Sequence, residues 1–201
     1  MENNEMADFL EDAHFDEIAG TDGKTLCIGK DCTYDAEKNL FTLPVWGWTF
    51  EIDCNQKQIT TDSADQIQDY FSIFIIHYLR CTDVGEDSGT WISEKDFPGG
   101  VTFFRGPHEI PTNLISDRFQ NDLEQFGEVC QKLGGKALEM GDKAYGFNLA
   151  PGISVALVYW IGDEEFPAEA KLLYDQNLQH RYALDVIFSL ALQVCYRFTK
   201  V

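Results

Sequence analysis

Apolar residues recur along this chain in two rhythms, and they are densest between residues 153 and 175. Residues 153–161 (ISVALVYWI) are apolar at nearly every position, which predicts a strand covered on both faces. Residues 162–167 (GDEEFP) read as the turn out of it, residues 171–174 as a returning strand, and Asp175 as its end. Leu184–Phe198 is apolar over most of its circumference, the signature of a buried closing helix.

The same reading extends to the rest of the chain. Met6, Phe9, Leu10 and Ala13 fall at helical spacing within residues 1–20, with Gly20 as the stop and an acidic outer face. Residues 25–61 change texture to short β-like runs (TLCIG, CTYD, LFTLPV, WTFEID, KQITTD) separated by turn residues, which predicts an antiparallel meander. Hairpin turns are expected at Glu37, Lys38 and Asn39 and at Cys54, Asn55 and Gln56. Trp46 and Trp48 would share a face if Gly47 between them is extended.

Ser63 and Gln66 are placed as a capping box for a helix whose stripe is Ile67, Tyr70, Phe71, Phe74, Ile75, Tyr78 and Leu79. His77 sits beside that stripe and reads as structural. Residues 81–89 form an acidic loop, residues 90–93 a short extended run, and residues 117–133 a second amphipathic helix stopped by Gly134 and Gly135. Residues 144–149 pair with 153–161 about a turn at Pro151 and Gly152. These elements define an α+β fold in a single domain over 1–201. It comprises an acidic N-terminal helix (1–20), a meander (25–61), and helices with a C-terminal hairpin (63–201), with three long helices packed on the strands.

Charge narrows the function classes. With 34 acidic against 15 basic residues the formal net charge is -19, so nucleic acid and anionic membrane would be repelled over most of the surface. The apolar runs at 71–76 and 186–194 fall short of the roughly 20 residues a bilayer span requires. The first twenty residues carry seven acids and no Lys or Arg, unlike a secretory leader. Six cysteines are scattered without a CxxC pair. Together these features predict a soluble protein of the reducing cytoplasm.

Little in the chain is a recognisable catalytic motif. His14, His77, His108 and His180 form no HExxH pattern, and no GxSxG elbow, GxGxxG loop or Walker-type loop is present. Cys27 and Cys32, five apart across Gly29, lack a second Cys or His pair and read as ordinary thiols near a turn rather than half a metal site. Asp163, Glu164 and Glu165 are the sharpest candidates, with Asp175 expected near them through the hairpin. Grouped carboxylates serve acid–base chemistry or hold a hard divalent cation, and their repulsion would raise at least one pKa under a closed lid. A solvated strand turn is the stronger reading of the same residues.

The motifs IHYL (76–79), GTWISEKDFPGG (89–100), LGG (133–135), GDKAYGFNLAP (141–151) and above all YWIGDEEFPAEAKLLYD (159–175) resemble an uncharacterised bacterial and archaeal family, a domain of unknown function found in anaerobes. The likeness spans residues 65–198, with the meander fitting more loosely. Some members of that family look like fusions to a corrinoid-type iron-sulfur module, which implies a link to corrinoid or iron-sulfur one-carbon metabolism. This chain has no cysteine-rich module, so a cluster would sit on a partner protein.

The resemblance places a ligand-binding site at Trp91, Trp160, Asp163, Glu164, Glu165, Phe166 and Asp175, near Pro98, Gly99 and Gly100. It assigns no catalytic residue and no cofactor. The leading expectation is a binding or accessory domain that engages a corrinoid or iron-sulfur protein or a small ligand. The alternative is a metal-assisted hydrolase or transferase using Asp163, Glu164 and Glu165.

Overall fold

The computed structural model describes residues 4–5, 10–63 and 67–201, and its class is α+β as the patterning predicts. The chain divides into two compact units, one of Met1–Glu86 with Leu149–Gly152, the other of Asp87–Asn148 with Ile153–Val201.

The first unit holds β1 (Asn4–Glu5), α1 (Asp12–Ala19), α2 (Gly23–Leu26), β2 (Thr33–Asp35), β3 (Leu40–Val45), β4 (Trp48–Asp53), β5 (Gln58–Thr61) and α3 (Phe71–Arg80). Its sheet runs β1-β5-β4-β3-β2 with every pairing antiparallel. Alternation decides which side chains go inside: Phe41, Leu43 and Val45 on β3 and Trp48, Phe50 and Ile52 on β4 are buried, while their neighbours along each strand are less covered. Helix α3 lays Phe71 against this face, with ring centroids 6.4 Å from Trp48 and 5.8 Å from Phe50. Each such aromatic contributes about 1.5–3 kcal/mol by leaving water.

Four expectations are corrected in this unit. Residues 25–29 are not a strand: Asp22 caps α2 by accepting from Thr25 N and Oγ1 at 3.0 and 2.8 Å, and that local bond outcompetes extension. Trp46 and Gly47 are not extended but form the two-residue turn of a hairpin, at φ 50 and 80°, with Val45 opposite Trp48. The N-terminal helix is shorter than the stripe suggested, since Asn4–Glu5 is a strand and the buried pair of α1 is Phe15 and Ile18 while Ala13 is exposed. Met6 and Phe9 lie outside the described residues. Helix α3 begins at Phe71, after a turn in which Gln68 and Asp69 accept from Phe71 and Ser72, rather than beside Ser63; Gln66 lies outside the described residues.

The second unit holds β6 (Trp91–Ser93), α4 (Gly100–Phe103), α5 (Asn113–Phe119), α6 (Leu123–Lys132), β7 (Lys136–Leu138), all but the last two residues of β8 (Lys143–Ala150), β9 (Ile153–Trp160), β10 (Glu169–Asp175) and α7 (Leu184–Phe198). Strand order is β6-β10-β9-β8-β7, which puts the most apolar strand in the middle. Residues 153–159 are all buried, as a central strand covered on both faces requires. Phe126 of α6 packs on Tyr159 with centroids 4.6 Å apart, and Phe198 of α7 meets Phe147 at 5.6 Å. Arg118 donates to the carbonyl of Phe198, an acceptor that the end of α7 leaves open, and to that of Val201 beyond the helix.

The helix expected over 117–133 is broken in two. Gln120 adopts φ 48° and ψ -117°, and Asp122 restarts the chain as α6 by accepting from Gln125 N at 2.8 Å. The apolar stripe survives the break because Phe119 and Phe126 still pack together, at 5.5 Å.

In the first unit Gly152 closes a turn at φ 70°, where an added Cβ would stand 2.2 Å from the Val84 carbonyl oxygen. Gly152→Ala is therefore expected to destabilise the protein by about 2 kcal/mol or more, combining left-handed strain with a backbone clash, as read from the urea midpoint.

Candidate functional site

The register of the central hairpin places the candidate turn. Trp160 faces Glu169 at the last pair of β9 and β10, so residues 161–168 project beyond the sheet. Although this turn is exposed, its backbone is tied down at nearly every step. Ile161 N donates to Asp142 Oδ2 at 2.9 Å, Gly162 N to Asn121 Oδ1 at 2.7 Å, and Asp163 N to the Phe166 carbonyl at 2.8 Å. Asp163 Oδ1 then accepts from the amides of Glu165 and Phe166 at 2.8 and 2.9 Å. Those two backbone donors hold the Asp163 carboxyl below its ordinary value. The carboxylate repulsion expected to raise a pKa in this trio does not govern Asp163.

Two side chains outside the motif complete the frame. Asn121, in the loop between α5 and α6, returns a second bond to the turn, its Nδ2 donating to the Gly162 carbonyl at 3.1 Å. Tyr159 of β9 donates its hydroxyl to the Gln120 carbonyl at 2.7 Å, which holds the same loop in its unusual conformation. Gly162 has no room for a side chain, since a Cβ would lie 2.7 Å from Ala168 N and 2.9 Å from the Phe166 carbonyl oxygen. Between turn and loop lies an open cleft of about 390 Å³ lined by Ser116, Asp117, Gln120, Asn121, Asp163 and Phe166, among others.

The turn itself is both apolar and acidic. Among the described residues five large apolar side chains are exposed, and three of them lie at or next to this turn: Trp160 at the end of β9 (36 %), Ile161 (45 %) and Phe166 (67 %), of which Phe166 lines the cleft. Asp163, Glu164 and Glu165 are exposed in the same turn, and Glu169 is exposed at the start of β10.

The remaining predicted residues lie elsewhere. Asp175 does not approach the acidic trio: it ends β10 six residues from Glu169, about 20 Å along the strand, and pairs with Trp91 of β6. Lateral proximity through a hairpin holds only near its turn, and Asp175 is at the opposite end. There it is a buried structural cap. Its Oδ2 accepts from Ser88 Oγ and Gly89 N at 2.9 and 3.0 Å, and its Oδ1 from Asn177 N at 2.9 Å. Trp91 is half-buried on the edge strand.

Asp163, Glu164 and Glu165 do not converge as a metal-binding group; among the described residues no three His, Cys, Asp or Glu side chains do. A second cleft of about 250 Å³, lined by Glu94, Lys95, Phe104, Glu109, Glu169 and Lys171 among others, flanks β10. Glu94, Lys95, Glu169 and Lys171 of this cleft fall within the segments 89–100 and 159–175, and Asp142 and Tyr159 within 141–151 and 159–175, that carry the family resemblance, whereas no motif marks Asn121. The physical signal for Asn121, Asp142 and Tyr159 is that Asn and Asp favour turns and that a tyrosine inside an apolar strand needs an acceptor.

Burial of Asp175 raises its pKa, but the hydrogen bonds from Asn177, Ser88 and Gly89 outweigh that effect and leave it below the ordinary 3.8. A folded value below the unfolded one gives stability that is complete above pH 3.8 and lost as pH falls through the folded value. Asp175→Ala should thus cost about 2 kcal/mol at neutral pH. Measured by urea unfolding, the gap to the unaltered protein should narrow below pH 3.8. The turn gives a separate expectation: Asn121→Ala, which removes both bonds to Gly162, should lower stability by about 1–2 kcal/mol in the same assay.

Among the described residues no helix is long and apolar enough to cross a membrane. Comparison with curated proteins yields no match, and comparison with solved structures yields none. A family model described as a domain of unknown function, DUF3786, matches residues 24–197 and so takes in the meander as well as the helices and C-terminal hairpin. That match covers most of the chain, which therefore belongs to the DUF3786 family.

Proposed function

We propose that this protein is a binding module whose working surface is the turn between β9 and β10, and that its partner is a protein presenting a basic, apolar segment. The observation that carries the reading is the exposure of Trp160, Ile161 and Phe166 on a turn whose amides are already hydrogen-bonded. Leaving three large apolar side chains in water is unfavourable unless something covers them. A turn already ordered loses little further entropy on docking.

Charge selects among occupants. Asp163, Glu164 and Glu165 share the turn with Ile161 and Phe166, in a chain of net charge -19, so an acidic ligand is disfavoured and a Lys- or Arg-bearing one is drawn in. The resemblance to members fused to an iron-sulfur module adds a narrower proposal: the partner carries a corrinoid or iron-sulfur cofactor that this chain itself does not hold. Cytoplasmic location fits that role. Trp91 and Asp175 have no part in the docking surface proposed here.

The test uses a synthetic peptide alternating lysine with leucine and its glutamate-for-lysine counterpart, followed by tryptophan emission. The lysine peptide should saturate the response, bind more weakly as salt rises, and bind about tenfold more weakly to Trp160→Ala and to Phe166→Ala, read by calorimetry. Because neither substitution alters charge, unchanged affinity in both would show only general attraction to an acidic protein and would defeat the reading.

A further inference from the structure

A second chemistry-bearing cluster lies in the first unit, apart from the turn. The chain leaves α2 at Cys27, reverses through Gly29 at φ 74°, and returns at Cys32. The two sulfurs end 2.7 Å apart, and both cysteines are partly open to solvent. Both are free cysteines, with their sulfurs in contact. The spacing that looked uninformative in the sequence is a juxtaposed pair.

The pair does not stand alone. Lys30, between the two cysteines, is buried, and its ammonium donates to the carbonyls of Leu26 at 2.7 Å and Cys81 at 2.6 Å. It also lies 5.7 Å from the centroid of the Tyr78 ring. Among the described residues no carboxylate forms a salt bridge with it. A buried ammonium held only by carbonyls and a ring face has charge to spare for an anion. Burial lowers its pKa, and the sulfurs of Cys81, Cys32 and Cys27 act in the opposite direction. Burial and the neighbouring Cys27 thiol push the Cys32 thiol up, with Lys30 opposing.

We infer that Cys27 and Cys32 form a redox-active dithiol that exchanges with low-molecular-weight disulfides, with Lys30 as the cation that stabilises the thiolate. In the first step Cys27 gives its proton to solvent and its thiolate attacks one sulfur of the small disulfide. That S–S bond breaks, and the leaving thiolate takes up a proton. Cys32 then loses its proton and attacks the Cys27 sulfur of the mixed disulfide, expelling the second small thiol. The two cysteine sulfurs are oxidised by two electrons, and the small disulfide is reduced to two thiols. In this order of steps Cys32 is the resolving sulfur.

The experiment exposes the whole protein to oxidised glutathione, blocks remaining thiols, digests with trypsin and reads the peptides by mass. Cleavage after Lys24, Lys30 and Lys38 puts Cys27 in TLCIGK and Cys32 in DCTYDAEK, so the disulfide appears as these two peptides joined. The expected result is that joined species, reversed by dithiothreitol, with Cys32→Ser instead accumulating a glutathione adduct on Cys27. Lys30→Met should slow alkylation of Cys27 at neutral pH about three- to tenfold, and Lys30→Arg should restore it, with far-UV circular dichroism unchanged in both. Failure of the two peptides to join, or preferential joining of either to the peptide carrying Cys81, would overturn the assignment. Equal alkylation rates in Lys30→Met and the unaltered protein would overturn the role of the lysine.

Discussion

Complete burial of residues 153–159 is the constraint on which the second unit depends. A strand covered on both faces must pair on both edges, and β9 does so between β10 and β8. Its pairing with β10 runs without interruption from Tyr174 opposite Val155 to Glu169 opposite Trp160. A slip of one residue would turn every side chain of β10 over, which the burial of Ala170, Leu172 and Tyr174 forbids. The register therefore fixes where the chain leaves the sheet, and hence where Trp160, Ile161 and Phe166 emerge.

What happens beyond that exit is governed by polar groups rather than packing. Asn121 and Asp142 accept from the first two amides of the turn, and Asp163 closes it from within. Tyr159 links the two systems, since its ring lies in the core against Phe126 while its hydroxyl holds the Gln120 carbonyl. Core packing and turn geometry are thereby coupled through one residue. The carboxylates serve two ends in this arrangement: Asp163 is consumed by the turn, whereas Glu164 and Glu165 face solvent and set its charge.

Much of this was legible in the sequence. A near-continuous apolar run marks β9, an apolar character over most of the circumference marks α7, alternation with regular turn residues marks β3 to β5, and GDEEFP marks the exit from β9 as a tight acidic turn. The parts that failed share a physical cause, competition between local and periodic signals. Asp22 captured Thr25 and converted a β-like run into helix, while the turn at Gln120 and the cap at Asp122 broke the helix beneath an apolar stripe that continues across them. The hairpin pattern suggests Asp175 beside the trio, but strand partners of a hairpin lie near its turn only at that end, and Asp175 is at the other. The Cys27 and Cys32 contact was invisible because five residues separate them, and only the reversal at Gly29 joins them. Asn121 and Asp142 act across distances in sequence that no local pattern reports.

Amide hydrogen exchange by NMR over residues 161–166 tests the central claim, that the turn is an ordered platform rather than a loose acidic loop, most directly. Exposed amides that are hydrogen-bonded should exchange slowly, so Ile161, Gly162, Asp163, Glu165 and Phe166 are predicted to show at least about tenfold protection over the unstructured rate. Exchange of all five at the unstructured rate would contradict the account.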